Sequence, residues 1–496
     1  MAINNKAKQS EYRSIFKATS LFGGVQVWKI LIEIVKQKCI AMFLGPAGMG
    51  IGGLYTSSIQ LIQGLTALGL SQSAVRDVAD ANASGDLVRV SNTIITIRRL
   101  VWVTGLIGTF IVLLLSPVLS RSAFGNYDYT LPFAFLSITL LFNQISSGQL
   151  VVLQGLQKYK WLALSGVLGS LVGLMGCIPL YYFFRVDGIV PTLILNSVIS
   201  LFFTWYFSHK IKVEYVSQTP KQTFVHGKQM LKMGVALSLN SILVTGVGYL
   251  IRIIIANLGG TEEVGLYTSG FAIVGGYTGL VFSAMGTDYY PRLSAVNKDN
   301  DKCKTIINQQ AEIALLIIAP LVVVFSLIAP YIITLLYSDA FQGVVMYLRY
   351  SMIAMLLKTA AWAISFVFLA KSDMRQFLFN EISIKIINVP LYFVAYKIGG
   401  LNGLGMATIV NYILYLAICY MAANRKYDFN FEKRFCIMLC IDLLLSMLIT
   451  FLISFGGNIN MIIAIVLMCV CCCSSIYLLD MRLGLVNVIV SKFKKN

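Results

Sequence analysis

Charged side chains are scarce in this sequence. Only 12% of its 496 residues are Asp, Glu, Lys or Arg, whereas 57% are hydrophobic and the mean hydropathy is +0.78. Soluble domains carry about 25% charged residues, so this composition excludes a soluble globular protein. The apolar runs reach the ~20 residues that a helix needs to cross hydrocarbon, and they do not have the short alternating pattern of barrel strands. The chain is therefore predicted to be an all-α integral membrane protein.

Histidine, long external loops and nucleotide-binding motifs are also lacking. The two histidines, His209 and His226, fall in one predicted cytoplasmic loop. Nine of the ten cysteines lie in apolar segments, where a thiol is a small hydrophobic filler, so no metal site is predicted. The sequence has no Gly-rich phosphate loop ending in Lys-Ser or Lys-Thr, and its predicted external loops are short. We therefore expect no cofactor, no enzymatic activity and no ATP-driven transport.

Fourteen apolar segments are long enough to cross a membrane. We number them as predicted spans 1 to 14: 18–43, 51–75, 95–117, 130–155, 160–183, 188–208, 230–257, 265–287, 306–336, 343–370, 376–396, 401–421, 434–455 and 458–479. Most of the 39 basic residues lie in or beside alternate connections, and the intervening connections hold only Arg121, Arg185 and Lys397. By the positive-inside rule both termini are cytoplasmic. The net charge of +18 thus reflects orientation in a membrane, and no nucleic-acid partner is expected.

The sequence contains an internal duplication. Gly-Leu-Tyr-Thr-Ser occurs twice, and two further matches follow in the same order at nearly the same offset. The matched pairs are 53–57 with 265–269, 179–181 with 390–392, Gly188 with Gly403, and Asn196 with Asn411. An even number of spans separates the copies, so the two halves have the same orientation and a pseudo-two-fold axis along the membrane normal. Transporters built this way bind substrate between their halves.

These patterns predict six segments of the chain. They are a cytoplasmic N-terminal segment (1–17), an N-lobe of spans 1–6 (18–208), a cytoplasmic linker (209–229), a C-lobe of spans 7–12 (230–421), two additional spans, 13 and 14 (434–479), and a basic cytoplasmic tail (480–496).

Basic residues outnumber acidic ones inside the predicted spans. A charged side chain at the centre of a membrane helix costs ~2.5–3.5 kcal/mol, so these residues indicate a polar cavity. Lys29, Glu33 and Lys36 share one face of span 1, and Lys38 is turned away from it. Either this stripe faces the cavity, or Glu33 pairs with a lysine only to make insertion tolerable.

Two further cations are candidates for substrate binding. Aligning Leu44-Gly45 with Leu258-Gly259 in the two halves places Arg252 of span 7 opposite Lys38. Lys358 lies near the middle of span 10 without an acidic residue within a turn. Lysine and arginine bind phosphate and pyrophosphate well, so this set of cations predicts an anionic substrate.

The acidic residues of the spans have several possible roles. Glu381 and Lys385 are spaced as an i, i+4 pair in span 11, which favours structural pairing, although both are also candidates for coupling. Glu33 is either a protonation site or a group that tunes its neighbouring lysines. Glu312 and Asp442 lie close to the ends of their spans and are expected to be mostly structural.

Residues 20–80 closely resemble polysaccharide transporters, in particular the Wzx-type O-antigen flippases of bacteria. The resemblance rests on the basic span 1, on Leu-Gly-Pro-Ala-Gly-Met-Gly-Ile-Gly-Gly-Leu-Tyr-Thr-Ser at 44–57, on Gln-Leu-Ile-Gln-Gly-Leu-Thr-Ala-Leu-Gly-Leu at 60–70 and on Ala-Val-Arg at 74–76. It extends over essentially the whole chain and is weak in spans 13 and 14. The superfamily of these flippases also contains lipid II flippases and multidrug antiporters.

The resemblance implies a flippase of the bacterial inner membrane. Its substrate would be an undecaprenyl-pyrophosphate-linked oligosaccharide, such as an O-antigen unit of lipopolysaccharide, moved from the cytoplasmic to the periplasmic leaflet by alternating access. Polysaccharide polymerase or assembly proteins are then possible partners beside the membrane lipids. By position, the role of a cavity cation that engages the head group falls on Lys36.

Two alternatives remain open from the residues. A multidrug antiporter of the same superfamily would need an acidic cavity for cationic drugs, which the excess of basic residues disfavours. A membrane-embedded polysaccharide polymerase or ligase would need a substantial external loop with acid and base residues, and the predicted external loops are short.

Overall fold

The computed structural model describes residues 2–211 and 218–483, and these residues form α-helices and short 3₁₀ turns without a strand. The helices are α1 (Ala2–Thr66), α2 (Leu70–Ala83), α3 (Leu87–Phe124), α4 (Thr130–Gly155), α5 (Tyr159–Phe184), α6 (Ile189–His209), α7 (Pro220–Ala295), α8 (Asn300–Leu336), α9 (Val345–Ala370), α10 (Met374–Tyr427), α11 (Lys433–Phe455) and α12 (Asn458–Leu483). Parts of three predicted segments lie outside the described residues: residue 1 of the N-terminal segment, 212–217 of the linker and 484–496 of the basic tail.

The helices have the lengths that a membrane protein requires. Within the described ranges, nine helical segments are long and apolar enough to cross a membrane. Many of their large apolar side chains are exposed, as expected where lipid rather than water surrounds a helix. The all-α membrane fold is therefore confirmed. The count of fourteen spans stays a prediction, because three of these segments each contain two predicted spans and α1, which contains predicted span 1 and most of span 2, is not among the nine.

Glycines bend three helices where the sequence predicts turns between spans. α1 is interrupted at Gly45 (φ 64°), α7 at Gly260 (φ 82°), and α10 at Gly399 and Gly400 (φ 55° at Gly400). A positive φ is costly for a residue with a Cβ atom, so glycine is required at these bends. The backbone angles of Gly45 and Gly260 are nearly the same, which gives the two copies of the duplication the same bend.

The short helix α2 differs from the sequence prediction, in which span 2 continues to residue 75. α1 ends at Thr66, and Gly69 (φ 61°) starts a new helix. Leu70, Ala74 and Val78 form one face of α2 and are buried in a cluster with side chains of α3, α4 and α7. A left-handed glycine breaks the helix, and the apolar face of α2 then packs on its neighbours.

Two compact units divide the described chain at Gly265. The first unit runs to Gly265, so the first half of α7 belongs with α1–α6, whereas the sequence assigns it to the C-lobe. A Cβ atom at Gly50 would lie 1.7 Å from the Thr261 carbonyl oxygen, and one at Gly69 would lie 2.0 Å from that of Gly234. These backbones can approach so closely because Gly50 and Gly69 have no side chain to keep them apart. The two predicted lobes follow the duplication in the sequence, and they stay a prediction.

A buried carboxylate fastens α11 and α12 to α8 in the second unit. The side chain of Glu312 is 11% exposed and accepts hydrogen bonds from Arg482 Nε at 3.2 Å and Nη2 at 3.3 Å. Arg434 Nε of α11 lies 3.7 Å from the same carboxylate. Beside it, Asn308 of α8 accepts a hydrogen bond from the backbone N–H of Glu432 at 2.9 Å. Glu312 is thus structural, as the sequence suggests.

Arg349 compensates for a proline in the same unit. Pro330 has no N–H, so the carbonyl of Ser326, four residues earlier in α8, loses its helical partner. Arg349 of α9 is 6% exposed, and its Nε donates to this carbonyl at 3.0 Å. The buried guanidinium therefore satisfies the backbone at a helix kink.

The connection between α9 and α10 is also polar. The Asp373 carboxylate caps α10 by accepting from the Gln376 N–H at 3.2 Å, and it accepts from Lys426 Nζ at 2.7 Å and Tyr427 Oη at 2.8 Å. The hydrogen bond from Lys426 is the main cause that lowers the pKa of Asp373.

Candidate functional site

The charged stripe predicted on span 1 lies along the first half of α1. Lys36 Nζ is 4.0 Å from Glu33 Oε2, and the two side chains are 26% and 55% exposed. Gln37 Nε2 donates to the other oxygen of Glu33 at 2.9 Å. Glu33 therefore pairs with Lys36, at the outer limit of an ion pair. Lys29 lies outside this contact, as a cation in excess of the one acidic residue.

The stripe faces α5 within the first unit. A Cβ atom at Gly166 would lie 2.2 Å from Lys29 Nζ, so the ammonium group occupies space that only a glycine leaves open. Farther along α5, the Cys177 thiol lies within electrostatic range of Glu33 and Lys36. Asn196 of α6 donates to this thiol at 3.3 Å. A polar path thus runs between α1, α5 and α6.

Lys38 and Arg252 occupy comparable places before the two matching bends. Lys38 lies seven residues before Gly45, and Arg252 lies eight residues before Gly260. At 1.5 Å and 100° per residue, this offset changes the depth by only ~1.5 Å but turns the side chains ~100° apart. Arg252 Nη1 donates to the Gly248 carbonyl at 3.0 Å, and both cations are half-buried. Equivalence of the pair across a common axis stays a prediction.

Lys358 lies in the middle of α9, in the second unit. Its Nζ is 4.6 Å from the centroid of the Phe282 ring, which is within the range of a cation–π contact. Phe282 itself is buried and packs on Trp362. In the described part of the chain, no carboxylate forms an ion pair with Lys358. An aromatic ring is a weaker partner than a carboxylate, so this ammonium group retains the ability to bind an anion.

Glu381 and Lys385 do not form the expected ion pair within the described residues. Glu381 instead accepts a hydrogen bond from Tyr415 Oη, in the second half of α10. Both charged side chains lie within electrostatic range of Tyr412. The bend at Gly399 and Gly400 folds α10 back on itself, which brings these groups together. The pairing of span 11 with span 12 therefore replaces the i, i+4 contact.

Three asparagines in polar contacts between helices were not predicted as site residues from the sequence. Asn388 and Asn411, from the two halves of α10, are 6% and 8% exposed, and the Oδ1 atom of each has no hydrogen-bond partner. Asn196, the counterpart of Asn411, lies 2.5 Å from where a Cβ atom of Gly173 would stand. The recurrence of Asn196 and Asn411 at matching positions of the duplication is the sequence signal that could have identified them.

A cleft of about 680 Å³ opens in the first unit between α2, the start of α3 and the start of α7. Its lining mixes signs, with Arg76 and Arg89 beside Asp77, Asp80 and Asp86. Burial raises the pKa of the Asp77 carboxyl. This cleft does not include the predicted cavity cations. The described residues contain no group of three His, Cys, Asp or Glu side chains arranged to hold a metal ion.

The sequence of this chain is similar to those of known proteins. The profile of a family described as polysaccharide biosynthesis protein matches residues 39–346. A putative O-antigen transporter of Shigella flexneri is 25% identical over 323 residues, which cover 63% of this chain and 74% of the relative. A lipid III flippase of Escherichia coli (strain K12) is 22% identical over 414 residues, covering 82% and 97% of the two chains.

Solved structures show the same fold. The lipid II flippase MurJ in an inward closed conformation superposes with a TM-score of 0.71 at 13% identity, covering 93% of this chain and 99% of that one. An inward-facing multidrug resistance transporter of the MATE family gives a TM-score of 0.69 at 18% identity, covering 81% and 94%. At these identities the likeness concerns the fold alone.

Proposed function

Because the chain belongs to the polysaccharide biosynthesis protein family, we propose that it is a flippase for a polyprenyl-pyrophosphate-linked oligosaccharide. Its relatives include a putative O-antigen transporter and a lipid III flippase, which supports a lipid-linked sugar as substrate. The reaction would carry the oligosaccharide from the cytoplasmic to the periplasmic leaflet of the inner membrane, by alternating access. The basic residues on alternate connections support cytoplasmic termini.

The observation that carries this proposal is the excess of cations in the apolar segments. Lys29, Lys36, Lys38, Arg252 and Lys358 are the proposed contacts for the pyrophosphate. Lys29 exceeds the single carboxylate of its stripe, and Lys358 lies against an aromatic ring. A pyrophosphate offers both of them charge-assisted hydrogen bonds that the protein leaves unmade. Glu33, Glu381 and Lys385 remain proposed coupling or pairing groups.

Lys358 and Lys397 provide a matched test. Each ammonium group lies over a phenylalanine ring, Lys358 at 4.6 Å from Phe282 and Lys397 at 5.0 Å from Phe393, but Lys397 is exposed beside the bend of α10, in the predicted external connection between spans 11 and 12. Proteoliposomes containing a fluorescent polyprenyl-pyrophosphate oligosaccharide would report the fraction of lipid in each leaflet. Variants carrying Lys358→Met or Lys397→Met would be compared with wild type after their insertion is checked.

Lys358→Met should slow flipping by about 10- to 100-fold, since a hydrogen bond to a charged group contributes ~1.5–3 kcal/mol. Lys397→Met should remain near the wild-type rate, and Lys358→Arg should recover part of the activity. Flipping by inserted Lys358→Met at the wild-type rate would remove this residue from the site. Wild-type protein that moved a cationic drug and no lipid-linked sugar would favour the antiporter, and elongation of the sugar would favour a polymerase.

A further inference from the structure

A polar stripe runs along α11, one of the two helices outside the duplication. Asp442, Ser446, Thr450 and Ser454 follow one another at intervals of four residues. This spacing places them on one slowly winding face, and twelve residues of helix extend over ~18 Å. Asp442 lies nine residues after the start of the helix at Lys433, which is ~13 Å along the axis. The carboxyl group is therefore in the hydrocarbon region and not at the helix end.

Two of the three hydroxyl groups of this stripe are buried and lack partners. Ser446 is 0% exposed and Thr450 is 3% exposed, and neither hydroxyl oxygen has a hydrogen-bond partner. Serine and threonine in membrane helices usually donate to a carbonyl of the preceding turn, as Ser454 does to Thr450 at 2.8 Å. An orphaned hydroxyl in an apolar interior costs free energy, so two in succession call for a ligand that visits them.

Asp442 itself has no counter-ion in the described residues. α11 packs against α8, α9 and α12, and the titratable group that reaches the Asp442 carboxyl is the Cys471 thiol of α12, which is 3% exposed. The charged side chains in the membrane-spanning parts of the other two helices have other neighbours, and Lys358 of α9 lies over the Phe282 ring. Glu312 of α8 is paired with two arginines, and the Arg349 guanidinium of α9 is bonded to Ser326.

We propose that Asp442 is a proton-binding site of α11, served by the Ser446 and Thr450 hydroxyls, and that its protonation is coupled to flipping. The coupling part rests on the proposed function. A proton suits the site better than a metal ion, because a metal ion needs several oxygen ligands at once. The site offers one carboxylate, a soft thiol and hydroxyls spaced a helical turn apart. Hydroxyl groups can relay a proton, since each both donates and accepts.

The site explains why a charged group occurs in a helix that the duplication did not supply. A partly buried carboxyl in hydrocarbon without a counter-ion is more stable neutral than charged, so taking up a proton stabilises it. Because α12 is fastened to α8 at Glu312, release of the proton would place a negative charge in the seam between α11 and α12. That charge would change how α11 and α12 pack on each other, and the contact of α12 with Glu312 would transmit the change to α8 in the second unit.

Carbodiimide labelling of the full-length protein in liposomes tests the binding site without any transport. Carbodiimides react with protonated carboxyls, preferentially in apolar surroundings, and mass spectrometry identifies the modified residue. At neutral pH, Asp442 should be labelled at least tenfold faster than Asp301, an exposed carboxylate at the start of α8. Ser446→Ala should change the labelling of Asp442 by less than Asp442→Asn, which abolishes it. Labelling of Asp442 no faster than that of Asp301 would overturn the proposal.

The leaflet assay under an imposed pH gradient tests the coupling. Wild-type flipping should respond several-fold to the gradient, Asp442→Asn should lose this response, Asp442→Glu should retain it, and Asp301→Asn should match wild type. Flipping that keeps its gradient response in Asp442→Asn would refute coupling at this residue. Fast labelling in a protein that flips no lipid would instead leave the proton site standing and count against the proposed function.

Discussion

The contact between Glu312 and its two arginines should contribute strongly to the docking of α11 and α12. The Glu312 side chain is 11% exposed, and Arg482 gives it two hydrogen bonds of 3.2 and 3.3 Å. Breaking a fully buried pair costs ~3–5 kcal/mol. Here Arg482 is 42% exposed and can recover hydration once Glu312→Gln removes the charge. We therefore expect a coupling energy of ~1.5–3 kcal/mol, the range for hydrogen bonds to charged groups.

A double-mutant cycle measures this coupling. Glu312→Gln, Arg482→Gln and the double variant would be unfolded by SDS titration in mixed micelles, and their free energies of unfolding compared with that of wild type. The same cycle with Arg434, whose Nε lies 3.7 Å away, should give a smaller value. The exposed pair of Asp299 and Lys302 serves as control and should give below ~1 kcal/mol. Additivity of Glu312→Gln and Arg482→Gln within ~0.5 kcal/mol would refute the reasoning.

Three further predictions concern single sites. Gly173→Ala should be less stable than Gly169→Ala in the same helix by ~0.5–1.5 kcal/mol. The new Cβ atom at 173 would lie 2.5 Å from Asn196 Oδ1 and turn that amide away from the Cys177 thiol, whereas Gly169 has nothing within 4 Å. Thermal unfolding in detergent that ranks the two variants oppositely would contradict this. Arg349→Met should lower the free energy of unfolding by ~1–3 kcal/mol, because it leaves the Ser326 carbonyl without a hydrogen-bond donor. Adding Pro330→Ala restores the backbone N–H at position 330 and should recover part of this loss. No recovery in the same assay would count against this account. Asp373 has a lowered pKa, so its stabilising contribution is complete above the unfolded pKa near 4 and is lost as pH falls through the folded pKa. Asp373→Asn should therefore flatten the acid limb of the curve of stability against pH. An unchanged acid limb would show that this carboxylate does not contribute to it.

Local patterns account for the parts of the structure that the sequence predicted well. Hydropathy requires only a count of apolar residues, so the membrane-spanning segments could be found without any tertiary information. The bends at the two Leu-Gly pairs also followed from local chemistry, because a positive φ favours glycine wherever it occurs. α1 bends at Gly45, and α7 bends at Gly260, one residue after the glycine of Leu258-Gly259. The same reasoning missed the break at Gly69, since hydrophobicity continues across it.

The candidate site was harder to predict because its contacts join distant residues. Span 1 could be recognised as charged, but only packing shows Lys29 over Gly166 of α5. Helical spacing predicted an ion pair between Glu381 and Lys385, but the bend of α10 brings Tyr415 to Glu381, which accepts its hydrogen bond. Asp442 was expected to lie near a span end, and only packing shows that its face of α11 carries the buried Ser446 and Thr450 hydroxyls without partners.

The sequence by itself determined that this is a multi-pass, all-α membrane protein of the polysaccharide biosynthesis protein family, with an internal duplication and more cations than anions in its predicted spans. Those properties depend on composition, periodicity and repetition, which are written along the chain. The tertiary structure alone decided which charges are already satisfied, as at Glu312 and Arg349, and which stay available, as at Lys358 and Asp442. Partners of a buried charge are set by the angles at which helices pack, and no local pattern specifies those angles.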